Sequence, residues 1–415
     1  MCCRVLAIVL ILVCSYMKRP TIIIIGVIIV TLLLGVWLYL LFGGNSAAPD
    51  ENYADLNLPN STDVIVTTND DSTSQEPLID INELEIIQQI TTDSVIGFQE
   101  VQDTPTSTPF AYYVEPGVGN IYSINLETGE EKRISATTIP GASKAAITPD
   151  GNWALFQAGQ GGSAAFSLGE VRASSTNLAL EPINEAILDF ASTKDNTFLY
   201  IARDGSGTVA IEYDPVTETS QALFSLPFNE VRMDWGSSRD DTHYIYPKAN
   251  KHLPGYLYAF SDNTLKRLPV AGFGLTAVGS QESVLFAHQA DETYQSGQYI
   301  IGEDTTTNTV AEFLPEKCTD LDTRDMFICG VSNEPFNYYT PDEWYEGTQT
   351  YSDNFWSIRP TALAGTYLRN ITDETGRNLD ITNLQAGFNS ERVYFQNKND
   401  GTLWIYHLDR EPNSN

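Results

Sequence analysis

An all-β fold is predicted by this sequence: a β-propeller of seven four-stranded blades, closed by an N-terminal strand and preceded by one transmembrane helix. Three observations carry that expectation. A unit of polar turn, short apolar strand, tighter turn and second strand recurs about every 40–45 residues between Val95 and Asp409. A period of that size with several strands per unit belongs to radially repeated sheets. The turn is clearest at Thr148-Pro149-Asp150-Gly151, and weaker copies place Asp150, Asp195 and Asp240 at even 45-residue spacings. Finally, the last unit lacks an outermost strand, while LEIIQQI (84–90) precedes the first unit without a sheet of its own.

In chain order, residues 1–20 read as a cytoplasmic N-terminus. Residues 1–16 read as an upstream extension with Met17 the initiator; a lipidated or interfacial terminus using Cys2 and Cys3 is the alternative. Residues 21–42 carry no charge, and about 20 apolar residues suffice to cross a bilayer core as a helix. Lys18 and Arg19 precede the run and acids follow it, so the N-terminus is expected in the cytoplasm and the remainder outside. The expected location is the cell membrane, single-pass. A cleaved signal peptide using Ser46-Ala47-Ala48 is the rival reading. Residues 43–83 are acidic and rich in Asn, Ser, Thr and Pro, which predicts a disordered, self-repelling stalk.

The propeller is expected over 84–409, with a short tail at 410–415. The first unit has strands at 95–101, 110–115, 120–126 and 130–135, and the second starts at Lys144 and carries the Asp150-Gly151 turn. The third has 186–192, 198–203, 209–215 and 220–226, and the fourth runs from Val231 to Leu268. The fifth pairs 284–288 with 298–314, and the sixth holds 326–331, 355–360 and 366–371. The seventh has 379–384, 392–398 and 402–408; pairing 84–90 with it would close the ring and remove edges that invite aggregation. Pro149-Asp150-Gly151, with Thr148 where Ser is usual, resembles the WD-repeat-like propellers of the TolB type. The resemblance covers 84–409 by period and is specific at one repeat. It implies a fold and a broad role in protein binding at the cell envelope, although a retained anchor departs from the soluble periplasmic form of that family.

The formal net charge is −31, from 54 acidic and 23 basic residues. Phosphates would be repelled, so nucleic acid is not an expected partner. The four His residues form no zinc motif, no cofactor signature is present, and Asp320–Asp325 reads as a solvated acidic turn rather than a calcium loop. Gly-x-Ser-x-Gly is absent, so no catalytic set is legible. Cys318 and Cys329 are the two cysteines of the ordered region, and an oxidising compartment favours a disulfide between them. The leading function is therefore a membrane-anchored binding or scaffolding module for an extracytoplasmic protein or glycan. The alternative is a glycan-active or other hydrolase using carboxylates at the propeller channel.

Loop lengths point to one face. The longer second-to-third-strand loops are 247–255, 289–297 and 331–354. The last holds Tyr338, Tyr339, Trp344 and Tyr345, and the first holds Lys248 and Lys251, a basic island. Exposed aromatics are favoured interface anchors because they bury area at little entropic cost. Trp344 and Tyr345 are the expected anchors, with Lys248 and Lys251 at the rim; the loop folding back so that its aromatics cap the blade is the competing expectation.

Overall fold

The clearest turn in the sequence shows how the repeat builds itself. Thr148 N–H donates to Trp153 O (2.9 Å), Gly151 N–H to Thr148 O (2.8 Å), and the Asp150 carboxylate accepts from Asn152 N–H (3.0 Å). Gly151 sits at φ +69°, and a Cβ there would press on Val101 and Tyr112, so both conformation and space require glycine. In the next turn Asn196 takes the left-handed position at φ 60°, and its side chain accepts from Asp150 N–H at 2.9 Å. Ser238 Oγ then donates to Asp195 at 2.7 Å. In the third turn Asp241, not Asp240, caps the backbone, accepting from Ser237 and Ser238 N–H at 2.8 Å each. The even spacing is thus one residue off there, because that turn is longer.

The computed structural model describes residues 85–102, 104, 106–171, 177–290, 293–360 and 365–410. The expected N-terminus, membrane helix and stalk lie outside the described residues, as does 411–415. Among the described residues no helix is long and apolar enough to cross a membrane.

The described chain is all-β. Five antiparallel sheets have four strands each and one has seven, an arrangement consistent with a β-propeller. Sheets over 97–133, 142–183, 187–226 and 318–370 take their four strands in sequence order. First strands of successive sheets touch one another in chain order, so they form the inner wall. Each meander puts first-to-second-strand turns at one end, here the turn face. Second-to-third-strand loops emerge at the other, the loop face.

The last sheet closes as the sequence predicts. Its own strands are Ile381–Ala386, Arg392–Asn397 and Leu403–His407, and the fourth is Ile87–Gln89 from the other end of the described chain. Ile87 pairs with Tyr406 and Gln89 with Trp404, and Ile90 N–H donates to Leu403 O at 2.7 Å. The core lies between the faces of adjacent sheets. Ile87 packs there with Phe355, Ile381, Phe395 and Tyr406, sealing the join with apolar surface.

The fourth and fifth units depart from expectation. A single strand, Thr264–Gly279, pairs with Pro254–Ser261 along its first part and Ser283–Ala290 along its second, merging both units into the seven-stranded sheet. Pro269, Gly272 and Gly274 look like breakers, but bulges absorb them: the register shifts between Tyr256 and Tyr258 and again between Phe273 and Thr276. The sixth unit also gains a first strand, Cys318–Leu321, that its acidic sequence hid. Cys318 stands directly opposite Cys329 and the two form a disulfide, Cα–Cα 4.0 Å.

Candidate interaction site

The longest loop of the loop face, residues 333–352, is folded by its own polar side chains. Asn337 Oδ1 accepts from Tyr339 N–H at 2.7 Å, and a single helical turn, Asp342–Tyr345, follows Pro341. That turn carries Trp344 inward: its side chain is 3% exposed. The expectation that Trp344 is a surface anchor is therefore corrected. Its indole N–H donates to both Asp380 oxygens at 3.1 Å, so it fastens the loop.

Asp380 belongs to a buried ion cluster. Lys317 Nζ lies 2.6 Å from Asp380 Oδ1 and 2.7 Å from Asp353 Oδ2, with all three side chains fully buried. Backbone donors complete the shell, from Tyr351 to Asp380 (3.1 Å) and from Ile381 to Asp353 (2.7 Å). Burial pushes the Asp353 carboxyl up, and the Lys317 ammonium opposes it. Partner lone pairs and N–H groups are thus satisfied, as a buried charge requires. The sequence carried one signal: Lys317 is the sole basic residue between Arg267 and Arg324.

Held from below in this way, the loop presents Tyr338 and Tyr339 outward, at 43% and 47% exposure. Lys251, from the loop two units earlier, places its ammonium 3.8 Å from the Tyr339 ring centre and 5.7 Å from Tyr338, a cation–π arrangement. Lys251 N–H also donates to the Asp342 carboxylate at 3.3 Å, and Gln289 Nε2 donates to Tyr338 O at 2.5 Å. The structure therefore brings Lys251, Tyr338 and Tyr339 together. Lys248 is exposed on the same loop as Lys251. Tyr345 has a half-exposed ring, but its hydroxyl donates to Glu316, and burial with that neighbour raises its pKa strongly. Sequence reasoning missed two members of the patch: Leu253, 59% exposed, and Phe273, 47% exposed and paired with both Pro254 and Gln289. Phe273 lies between Gly272 and Gly274, where no strand is legible.

Toward the axis, Lys144 Nζ meets Asp189 at 2.5 Å and Arg232 approaches the same carboxylate at 3.9 Å, linking three successive inner strands. At the turn face Asp320 is half-buried, not the solvated acid the sequence predicts; burial, then its hydrogen bond with Asp322, pushes its carboxyl up to about 9. Because that folded-state value exceeds the ordinary 3.8, the site's stabilisation is full below pH 3.8 and is lost as pH climbs toward 9. Asp320→Asn, which keeps a donor and does not titrate, is expected to raise Tm by a few degrees at pH 8 and to leave it unchanged at pH 4. Thermal melts at both pH values check this; an equal shift at both would contradict it. Among the described residues, no group of three or more His, Cys, Asp or Glu side chains is arranged to hold a metal ion.

No protein-family model matches the sequence, and no curated protein does. Solved structures do resemble the fold. An oligogalacturonate lyase in complex with manganese is 9% identical with TM-score 0.50, covering 79% of this chain and 93% of that one. The β-propeller domain of the Trilobed protease from Pyrococcus furiosus is 12% identical with TM-score 0.48, covering 75% and 95%. TolB from Acinetobacter baumannii is 16% identical with TM-score 0.35, covering 52% and 54%. At these identities the likeness is one of fold alone.

Proposed function

We propose that this chain is a seven-bladed propeller, held outside the membrane by residues 21–42, that binds or scaffolds an extracytoplasmic protein through its loop face. Seven blades follow if Thr264–Gly279 serves as the outermost strand of one unit and the innermost of the next. The observation that carries the binding reading is the outward cluster of Tyr338, Tyr339 and Lys251 beside exposed Leu253 and Phe273, on a loop anchored by a buried ion cluster. Apolar area rimmed by polar groups and held rigidly is what a protein partner needs. The hydrolase alternative has Asp320, held protonated beside Asp322, as its best acid. These two carboxyls touch directly, whereas glycoside hydrolysis needs a pair about 5–9.5 Å apart with the bond between them.

The test is paired. Tyr338→Ala with Tyr339→Ala, made in the full chain and compared with wild type by proximity labelling at the cell surface and pull-down, should abolish capture of the same partner with Tm shifted by less than about 2 °C. Unchanged capture would reject the site. Trp344→Ala should instead lower stability by about 3–5 kcal/mol, as for other buried Trp truncations. A Trp344→Ala protein with wild-type unfolding would contradict its anchoring role.

A further inference from the structure

The buried ion cluster holds an amine and two carboxyl groups at reacting distance, sealed from water. Lys317 ends the short turn before the Cys318–Leu321 strand, Asp353 begins the Asp353–Ile358 strand, and Asp380 immediately precedes Ile381–Ala386. Lys317 Nζ lies 2.9 and 2.7 Å from the two Asp353 oxygens and 2.6 Å from Asp380 Oδ1, so its three N–H groups meet three carboxylate oxygens. All three side chains are fully buried. The rings of Trp344 and Tyr351 lie beside the amine, with centres 5.4 and 5.0 Å from Nζ. The two acids are held differently. Asp380 accepts from the Trp344 indole and the Tyr351 backbone as well as from Lys317, a donor set that suits an anion. Asp353 Oδ2 accepts from Ile381 N–H at 2.7 Å, a fixed donor placed for charge that develops on that oxygen. Burial raises the Asp353 carboxyl, which favours its acid form.

We propose that the ion cluster is the reactant state of a self-made amide bond between Lys317 Nζ and Asp353 Cγ, with Asp380 as the proton carrier. Moving one proton along the Lys317–Asp353 hydrogen bond converts ammonium and carboxylate to neutral amine and carboxylic acid, a form that a dry pocket favours over separated charge. The Nζ lone pair then attacks Cγ, and Ile381 N–H stabilises the negative charge on Oδ2. Asp380 takes a proton from the attacking nitrogen and delivers it to the departing Oδ1 hydroxyl. The N–C bond forms, the C–O bond breaks and one water leaves, with no change of oxidation state and no co-reactant. The fixed geometry replaces the encounter that makes this condensation slow between free groups. The product satisfies its own polar atoms. Its carbonyl keeps Ile381 N–H, and its N–H donates to Asp380, whose other donors are unchanged. One buried ion pair is removed and the net charge of the cluster stays the same. The closed ring spans 317–353 and encloses the whole 333–352 loop, so the bond fixes the base of that loop and narrows the unfolded ensemble. It does not depend on what the loop face binds.

The experiment is mass spectrometry of the full chain, purified in detergent, denatured, reduced to open the Cys318–Cys329 disulfide and digested with trypsin. The wild-type digest is expected to show no cleavage after Lys317. It should contain one branched species joining the Lys317 peptide to the Asp353 peptide, lighter than their sum by one water, with fragment ions placing the branch at those two residues. Lys317→Arg keeps a cation but has no primary amine, and should yield only the separate linear peptides. Asp380→Asn should cut the branched fraction about tenfold or more. The wild-type digest decides by itself, so the test survives a variant that fails to fold. Cleavage after Lys317 in the wild-type chain with two linear peptides of unmodified mass, a branch at Asp380 instead of Asp353, or an undiminished branch in Asp380→Asn would overturn the proposal.

Discussion

Replacing Ile87 and Ile90 together with Ala should lower the unfolding free energy by about 4–8 kcal/mol. Both side chains are buried, at 4% and 1% exposure, and both belong to the strand segment that completes the last sheet. Each truncation removes apolar surface and leaves a cavity between sheets, where Ile87 packs on Tyr406 and Ile90 on Leu403 and Ile405. The loss is comparable with the roughly 5–15 kcal/mol total stability of an ordinary domain. Weakening the clasp also uncovers the Leu403–His407 edge, which can then pair with other chains. Urea unfolding followed by tryptophan fluorescence should show a much lower midpoint, and light scattering should show association during unfolding. A midpoint within error of wild type would mean that this strand does not hold the ring.

Lys317→Met is the second large effect. It leaves Asp353 and Asp380 buried side by side without their shared cation, and breaking a buried pair in this way typically costs about 3–5 kcal/mol. The damage should travel to the loop face, because Asp380 also holds Trp344 and the Tyr351 backbone. Adding Asp353→Asn and Asp380→Asn should recover much of the loss, since the uncompensated charge is then gone. Full-chain melts of the single and triple variants give the comparison. A Lys317→Met protein as stable as wild type, or a triple variant worse than the single one, would contradict the ion-cluster account.

What was legible in the sequence was whatever depended on local pattern. The Asp150-Gly151 turn, the alternating strands and the pair of cysteines all declare themselves within a few residues, and the spare strand at 84–90 could be matched to a sheet missing one. The merged strand Thr264–Gly279 was hidden because Pro269 and the glycines around Phe273 look like turns until bulges accommodate them. The fate of Trp344 was hidden for another reason. Its partner Asp380 and the lysine that neutralises Asp380 are distant in sequence and meet only when two sheets pack. An aromatic-rich loop cannot reveal by composition which ring turns inward. Trp344 is the ring that meets Asp380, while Tyr338 and Tyr339 stay exposed.

The role assigned to the loop face is tested most directly by photo-crosslinking on intact cells. A photoreactive phenylalanine analogue is placed at Tyr338, and in a separate protein at Val216, which is 72% exposed on a turn of the opposite face. The account predicts a discrete adduct from position 338 that disappears when Lys251→Glu is added, and none from position 216. Adducts of equal yield from both positions, or from 216 alone, would contradict it.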